Sequence, residues 1–276
     1  MTAAPAVAPR STGIEPPVLR ENARDIAIVA LNRAEARNTL SESMLAALRE
    51  TFASISADKR VRVIVLAAHG AAFSAGHDLK ELTACRGETD GGLGHTRQIM
   101  QSCSALMLAI TKLPQPVIAA VEGVATAAGC QLVATCDLAV ASRTAKFCTP
   151  GVHIGLFCST PMVALSRNVG RKQAMEMLLT GDMVAAEEAC RIGLVNQVVE
   201  PGKAQEEALA LAAKIAKKSA AVVKLGKEAF YRQIEMNLAD AYAYASEVMV
   251  TNMMARDAGE GISAFIEKRA PRWKDR

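Results

Sequence analysis

Aromatic side chains are scarce in this 276-residue chain, at 4%, with one Trp, three Tyr and six Phe. A packed interior must therefore be built from aliphatic residues, and a hydrophobic content of 51% supplies them. That content excludes disorder as the state of the whole chain. Long apolar runs are missing as well. The longest are short stretches such as Val63 to Ala68, far below the ~20 residues a membrane-spanning helix needs. Charge of one sign is not in excess, since 32 basic against 28 acidic residues leave a net +4. That balance is too even to recruit nucleic acid or an anionic membrane by charge alone.

Metal-site patterns are absent too. His69, His77, His95 and His153 are scattered, with no HExxH and no His/Cys cluster, so no metal is expected. The seven cysteines form no CxxC pair and are odd in number, which reads as reduced thiols in a cytosol-like compartment. The opening MTAAPAVAPRSTGIEPP lacks the basic-then-apolar order of a secretory signal and predicts a flexible tail over residues 1–18. One arginine and no acid before Glu15 are compatible with a short organelle transit peptide. The expected location is the cytoplasm, or the mitochondrial matrix in a eukaryote.

What is present is a succession of β-rich apolar runs with helical sequence between them, the pattern of an α/β protein with a covered parallel sheet. Strands are expected at Asp25 to Leu31, Val61 to Ala67, Pro116 to Val121 and Leu138 to Ala141. Ser41 is placed to cap a helix whose Met44, Leu45, Leu48 and Phe52 share one face. Arg97 to Leu113 repeats apolar residues at helical spacing and stops before Pro114. From Lys203 onward Ala/Lys/Glu-rich helical sequence takes over, which divides the chain into an α/β core over 19–202 and a helical region over 203–276. Thr83 to Gly94 is Gly-rich and polar, and is expected as a mobile surface loop.

Two strand-to-turn segments stand out, Phe73 to Leu82 (FSAGHDLKEL) and Glu122 to Leu132 (EGVATAAGCQL). Small residues at such junctions let backbone approach a ligand, and a helix start presents unpaired N–H groups. Two such N–H groups converging on one point would stabilise an oxyanion.

These segments, together with LNRAEARNTLSESML, PVIAAVEGVATAAGCQLVATCDLAVAS, FCTPGVHIGL, EMLLTGDMVAAEEACRIGLVNQVV and GISAFIEKRAPRW, occur in the order found in the crotonase, or enoyl-CoA hydratase/isomerase, superfamily, which the chain resembles over nearly its whole length beyond the tail. The resemblance implies an α/β crotonase (ClpP-like) spiral of ββα repeats, closed by C-terminal helices that support a homotrimer or a dimer of trimers. It implies an acyl-CoA thioester as ligand, with coenzyme A entering as part of the substrate and no separate bound cofactor. The thioester carbonyl would be held by the backbone N–H groups of His77 and Ala128. Adenine and pantetheine would follow backbone at Glu35, Ala36 and Arg37 and at Ala75, Gly76, His77, Asp78 and Leu79, with Phe265 and Lys268 near the nucleotide end.

The departures from the family pattern matter most. Where hydratases of the family carry two glutamates, this chain has Gln131 and Gly151. Glutamine holds a water but cannot take its proton at neutral pH, and glycine offers no side chain. Ordinary two-glutamate hydration is therefore not expected. His153 is a candidate replacement base, with a packing histidine as the plainer alternative. Cys158 reads as an inert buried thiol rather than a nucleophile, and Glu88 and Asp90 could carry an acid on the Gly-rich loop. For His77 only the N–H is expected to matter, while Asp78, Lys80 and Asp137 read as local structural groups. Lys214, Lys217, Lys218, Lys224 and Lys227 read as a solvated helix face rather than a nucleic-acid surface. Ile262, Phe265 and Ile266 form an apolar stripe fit to cover a neighbouring subunit. The expected activity is that of an enoyl-CoA hydratase/isomerase-type lyase of fatty-acid metabolism. The alternative is a non-catalytic acyl-CoA-binding or regulatory pseudoenzyme. On this reading Gln131→Glu with Gly151→Glu raises crotonyl-CoA hydration.

Overall fold

The computed structural model describes residues 15–275. The chain runs β1 (Val18–Ala23), β2 (Ile26–Leu31), α1 (Glu42–Ala57), β3 (Val63–Ala68), β4 (Ala72–Ser74), α2 (Leu79–Ala84), α3 (Leu93–Lys112), β5 (Val117–Val121), β6 (Val124–Thr126), α4 (Ala128–Thr135), β7 (Leu138–Ser142) and β8 (Lys146–Cys148). After a 3-10 turn at Pro150–Ile154 follow α5 (Pro161–Leu165), α6 (Arg171–Thr180), β9 (Val184–Ala185), α7 (Ala186–Arg191) and β10 (Gln197–Val199). Four helices close the chain: α8 (Ala204–Ala216), α9 (Ala220–Gln233), α10 (Leu238–Met253) and α11 (Arg256–Ile266).

The strands form a six-stranded sheet in the order β1-β2-β3-β5-β7-β10 and a four-stranded sheet in the order β4-β6-β8-β9. Each of the pairs β3/β4, β5/β6 and β7/β8 gives its first strand to the large sheet and its second to the small one. A helix then returns the chain to the start of the next pair, which produces the crotonase spiral of ββα units. Pairing is parallel throughout except for the β1–β2 hairpin at one edge and β8–β9. β1 begins at Val18, so the tail expected over 1–18 ends earlier than its composition suggests. The tail's first fourteen residues lie outside the described ones.

Both faces of the large sheet are covered, which is why its strands read as unbroken apolar runs. Alternate residues point to opposite faces. Ile64, Leu66, Val117 and Ala119 join the cluster made with Leu45, Leu48 and Phe52 of α1 and Leu106 and Ile110 of α3. Val63, Val65, Ile118 and Val140 face Ala204, Ala208, Ala212 and Ala216 of α8. Every fourth residue of α8 is alanine on that face, so the helix lies close against the sheet. The helical region that begins near Lys203 therefore starts with a helix of the core.

Ser41 caps α1 as expected, its hydroxyl accepting from the Met44 N–H at 3.2 Å. The Gly-rich segment is shorter as a loop than expected, because α2 reaches Ala84 and α3 begins at Leu93. Asp90 explains the early start. Its two carboxylate oxygens accept from Gly92 N and Gly94 N, both at 2.9 Å, and these bonds hold its carboxyl below the usual range. Asp90 thus holds the turn that leads into α3 rather than standing free.

Candidate active site

The site is built where β4 and β6 end. These two strands are parallel neighbours, with Ala72 opposite Val124 and Ser74 beside Ala125, so the turns that follow them leave the small sheet side by side. The first turn is Ala75-Gly76-His77-Asp78, and Asp78 caps α2 by accepting from Lys80 N at 2.8 Å. The second is the single residue Ala127, after which α4 begins at Ala128. A side chain on Gly129 would drive its Cβ into the Ser74 carbonyl oxygen, so glycine is required for α4 to pack on the end of β4. A Cβ on Gly76 would lie 3.2 Å from the Ala128 nitrogen. The 75–77 loop and the start of α4 therefore meet along a tight seam.

Two backbone donors emerge at this seam. Ala128 is the first residue of α4 and has no intrahelical acceptor. The His77 N–H likewise finds no acceptor among the described residues. Around them every neighbour is tied down. Thr126 Oγ1 donates to Ala75 O at 3.0 Å, Ser74 Oγ donates to Asn38 O at 2.8 Å, and Ala127 N donates to Cys148 O at 2.9 Å. Ala127 holds φ 49° and ψ −118°, a conformation in which L residues are strained, and this kink aims the first N–H of α4.

The segment 34–40 joins from the other side. Ala75 N donates to Arg37 O at 3.0 Å and Leu40 N to Gly76 O at 2.7 Å, which brings the exposed Glu35, Ala36 and Arg37 alongside Ala75 and Gly76. Asn38 makes this possible. It is fully buried, sits at φ 51°, accepts from Arg33 N at 2.8 Å and donates to His69 O and Ala72 O at 2.8 and 2.9 Å. The sequence offered no signal for Asn38 beyond its tolerance of left-handed backbone, and it passed unnoticed there, as did Ser74 and Thr126.

Apart from Asp78, whose carboxylate caps α2, the side chains of the two turns and of Gln131 carry no acid. Gln131 is 5% exposed, and its Oε1 has no hydrogen-bond partner. The His77 Nδ1 lies 3.3 Å from Leu40 O, and its Nε2 is buried without a partner. Burial pushes the His77 imidazole below its usual pKa, so the ring is neutral at pH 7. Gly151 is buried in the 3-10 turn. A Cβ placed there would lie 2.9 Å from Cys158 Sγ and 2.9 Å from the Leu156 carbonyl oxygen, so the space a side chain would enter is filled. Burial raises the Cys158 thiol, and raises Cys148 to about 11, which leaves both protonated.

The remaining candidates lie elsewhere. His153 is exposed, and its Nε2 donates to Thr180 O at 2.8 Å at the end of α6. Phe265 and Lys268 lie on and just beyond α11 and are exposed. Lys227 corrects the expectation of a solvated lysine face. Its ammonium is buried, bonded to Asp137 at 2.7 Å and to Ile110 O and Gln115 O at 3.0 Å, while Tyr231 donates to the other Asp137 oxygen at 2.9 Å. These groups dock α9 on the core. Beside them a cavity of about 960 Å³ opens between α3, α4, α5 and α9, lined by Met107, Gln131, Ala134, Val163, Phe230 and Ile234 among others. No group of three or more His, Cys, Asp or Glu fit to hold a metal occurs among the described residues, and no helix among them is long and apolar enough to cross a membrane.

A spiral of ββα units with two unpaired N–H groups at adjacent strand ends defines a class, and the sequence comparison agrees: residues 21–276 match the enoyl-CoA hydratase/isomerase family, to which the chain belongs. Within it, the chain is 49% identical over 245 residues to the mitochondrial enoyl-CoA hydratase domain-containing protein 3 of Rattus norvegicus, covering 89% of this chain and 80% of that protein. The crystal structure of the human enoyl-CoA hydratase domain-containing protein 3 superposes with a TM-score of 0.88 at 47% identity, over 93% of this chain and 100% of that one. An enoyl-CoA hydratase structure from Mycobacterium smegmatis gives 0.89 at 52% identity, over 94% and 99%.

Proposed function

We propose that this protein binds an acyl-CoA thioester whose carbonyl oxygen sits between the N–H groups of His77 and Ala128. The observation that carries the reading is the seam itself: two donors without acceptors, fixed by Gly129 on Ser74 and by the strained Ala127. Backbone donors held in place stabilise the negative charge of an enolate or tetrahedral oxyanion, at ~3 kcal/mol for one donor in comparable sites. The coenzyme A moiety follows the exposed backbone at Glu35 to Arg37 and at Ala75 to Leu79, with Phe265 and Lys268 at its nucleotide end. The cavity beyond Gln131 offers room for an acyl chain. Oligomerisation as a trimer or dimer of trimers is proposed for the apolar surfaces of α10 and α11, and a soluble compartment, the cytoplasm or the mitochondrial matrix, for its location.

Turnover is proposed to be of the hydratase/isomerase type without the two-glutamate machinery. A second reading, a binding or regulatory protein without turnover, is favoured by one observation: the position of the second glutamate is both glycine and packed shut by Cys158 and Leu156. The decisive experiment follows the 2-enoyl absorbance of crotonyl-CoA and of a longer enoyl-CoA, beside calorimetric binding of acetyl-CoA. Turnover well above the protein-free control supports the enzyme, binding without turnover supports the second reading, and no binding overturns both.

A further inference from the structure

Two polar ties hold α9 across the cavity it borders. The first is the buried set made by Lys227 with Asp137, Ile110 O and Gln115 O. The second joins Arg167, just past α5, to Glu235, just past α9: Arg167 Nε donates to Glu235 Oε1 at 2.9 Å, and Arg167 also donates to Val163 O at 3.1 Å. This pair faces water, its side chains being 52% and 58% exposed. Between the ties the walls are apolar and uncovered. No apolar side chain of α9 is buried, and Leu108, Val163, Phe230 and Ile234, which all line the cavity, are exposed. Such surface gains by taking an apolar ligand.

Helix α4 sets the distance from the thioester site to the second tie. Gln131 and Ala134, one and two turns past Ala128, both line the cavity. The side-chain amide of Asn168 donates to Ala134 O at 2.7 Å, which places Arg167, its neighbour in the chain, beside that second turn. Six residues of helix rise about 9 Å. An extended chain advances about 1.2 Å per bond, so a thioester held at the Ala128 N–H brings about its eighth carbon to the Arg167–Glu235 pair. Up to that point an acyl chain meets Met107 and Leu108 of α3, Ala134 of α4 and Val163 of α5. There it meets two full charges.

We propose that the Arg167–Glu235 pair is an end-stop that sets the preferred acyl length at about eight carbons. The inference rests on the thioester site proposed above and names medium-chain acyl-CoA as its substrate class. Each methylene placed before the pair gains by leaving water. A methylene pressed against the pair strips water from a guanidinium and a carboxylate and returns no hydrogen bond, so the gain ends there.

The test is calorimetric binding of butyryl-CoA, octanoyl-CoA and dodecanoyl-CoA to the wild type, to the double variant Arg167→Met with Glu235→Leu, and to Val163→Trp. All three positions lie at the surface, and thermal unfolding verifies that the variants fold. Binding of butyryl-CoA reports on the thioester site alone. The wild type is expected to bind octanoyl-CoA at least about tenfold tighter than butyryl-CoA, and dodecanoyl-CoA no tighter than octanoyl-CoA. The double variant replaces the charges by apolar groups and is expected to bind dodecanoyl-CoA about tenfold tighter than octanoyl-CoA. Val163→Trp fills the path and is expected to bring the octanoyl-to-butyryl ratio toward one. Dodecanoyl-CoA bound more than about threefold tighter than octanoyl-CoA by the wild type, or no tighter by the double variant, overturns the end-stop and leaves the thioester site standing. A wild-type octanoyl-to-butyryl ratio near one, or a ratio that Val163→Trp leaves unchanged, takes the chain out of this cavity and overturns the end-stop as well. No binding of any of the three ligands to the wild type overturns the thioester site too.

Discussion

Ala127 carries the most strain near the site, since its φ of 49° with ψ −118° is a region that glycine enters freely and alanine does not. Relief of about 1–3 kcal/mol, less the ~0.5–1 kcal/mol entropic cost of glycine, leaves Ala127→Gly about 1 kcal/mol more stable. Thermal unfolding should then show a rise of roughly 2–4 °C. His77 makes a prediction of the opposite kind. An unfolded imidazole binds its proton near 6.5, and the folded one does so only at lower pH because burial disfavours its charge. The unfolded state therefore holds more protons below pH 6.5, and native stability falls as pH drops through that window. Melting temperatures of the wild type and His77→Gln, compared from pH 7.5 to 5, should converge or cross as pH falls, and parallel curves would contradict the buried neutral ring. The segment FSAGHD singled out His77 as a candidate from the sequence. Its unmatched Nε2 was not, because the burial comes from chain around Leu40, 37 residues earlier. At Gly151 the sequence showed the lack of a side chain, but not the Cys158 thiol and Leu156 carbonyl that fill its side-chain space. A side chain at 151 thus requires the 156–158 segment to move, and Gly151→Glu is expected to cost about 1–3 kcal/mol by overpacking, measurable by urea unfolding.

Among the elements, α9 is tied to the core by a cluster of buried polar contacts. Lys227 reaches Asp137 and two main-chain carbonyls, and Tyr231 completes the set. Lys227→Met removes the only cation from the Asp137 carboxylate, leaving it the Tyr231 hydroxyl and the Val117 N–H, and should cost about 3 kcal/mol, with a smaller loss when Asp137→Leu accompanies it. Chemical denaturation of the single and double variants checks both figures. This contact escaped the sequence because Lys227 sits in a run of lysines spaced like a solvent face, and only the fold shows that this one turns inward. The long strands β2, β3, β5 and β7 were readable, since burial on both faces writes continuous apolar runs. The strands β4, β6, β8 and β9 are two or three residues long and carry no periodicity to read, yet β4 and β6 are the two that aim the site.

Among the described residues, the most exposed large apolar side chains lie on α10, α11 and the turn between them. Leu238, Tyr242, Met254, Phe265 and Ile266 are between 70% and 85% exposed along α10 and α11 and the turn between them, with Met254 at 82% and Phe265 at 85%. Apolar exposure of that extent fits a contact between copies of the chain. Phe265→Glu with Ile266→Glu should shift the native mass measured by light scattering toward the monomer. The organisation into an α/β core and C-terminal helices was legible from composition, while the role of α8 as a layer of that core was hidden in an alanine stripe that looks like ordinary helix-forming sequence.

The two free N–H groups of His77 and Ala128 are proposed to take a thioester oxygen. The direct measurement is the infrared difference spectrum of butyryl-CoA labelled with ¹³C at its thioester carbonyl, bound to the protein and free in buffer. Two aligned donors polarise the C=O bond, so the carbonyl band is expected at lower wavenumber when bound. A band at or above its position in water, with binding verified by calorimetry, would contradict it.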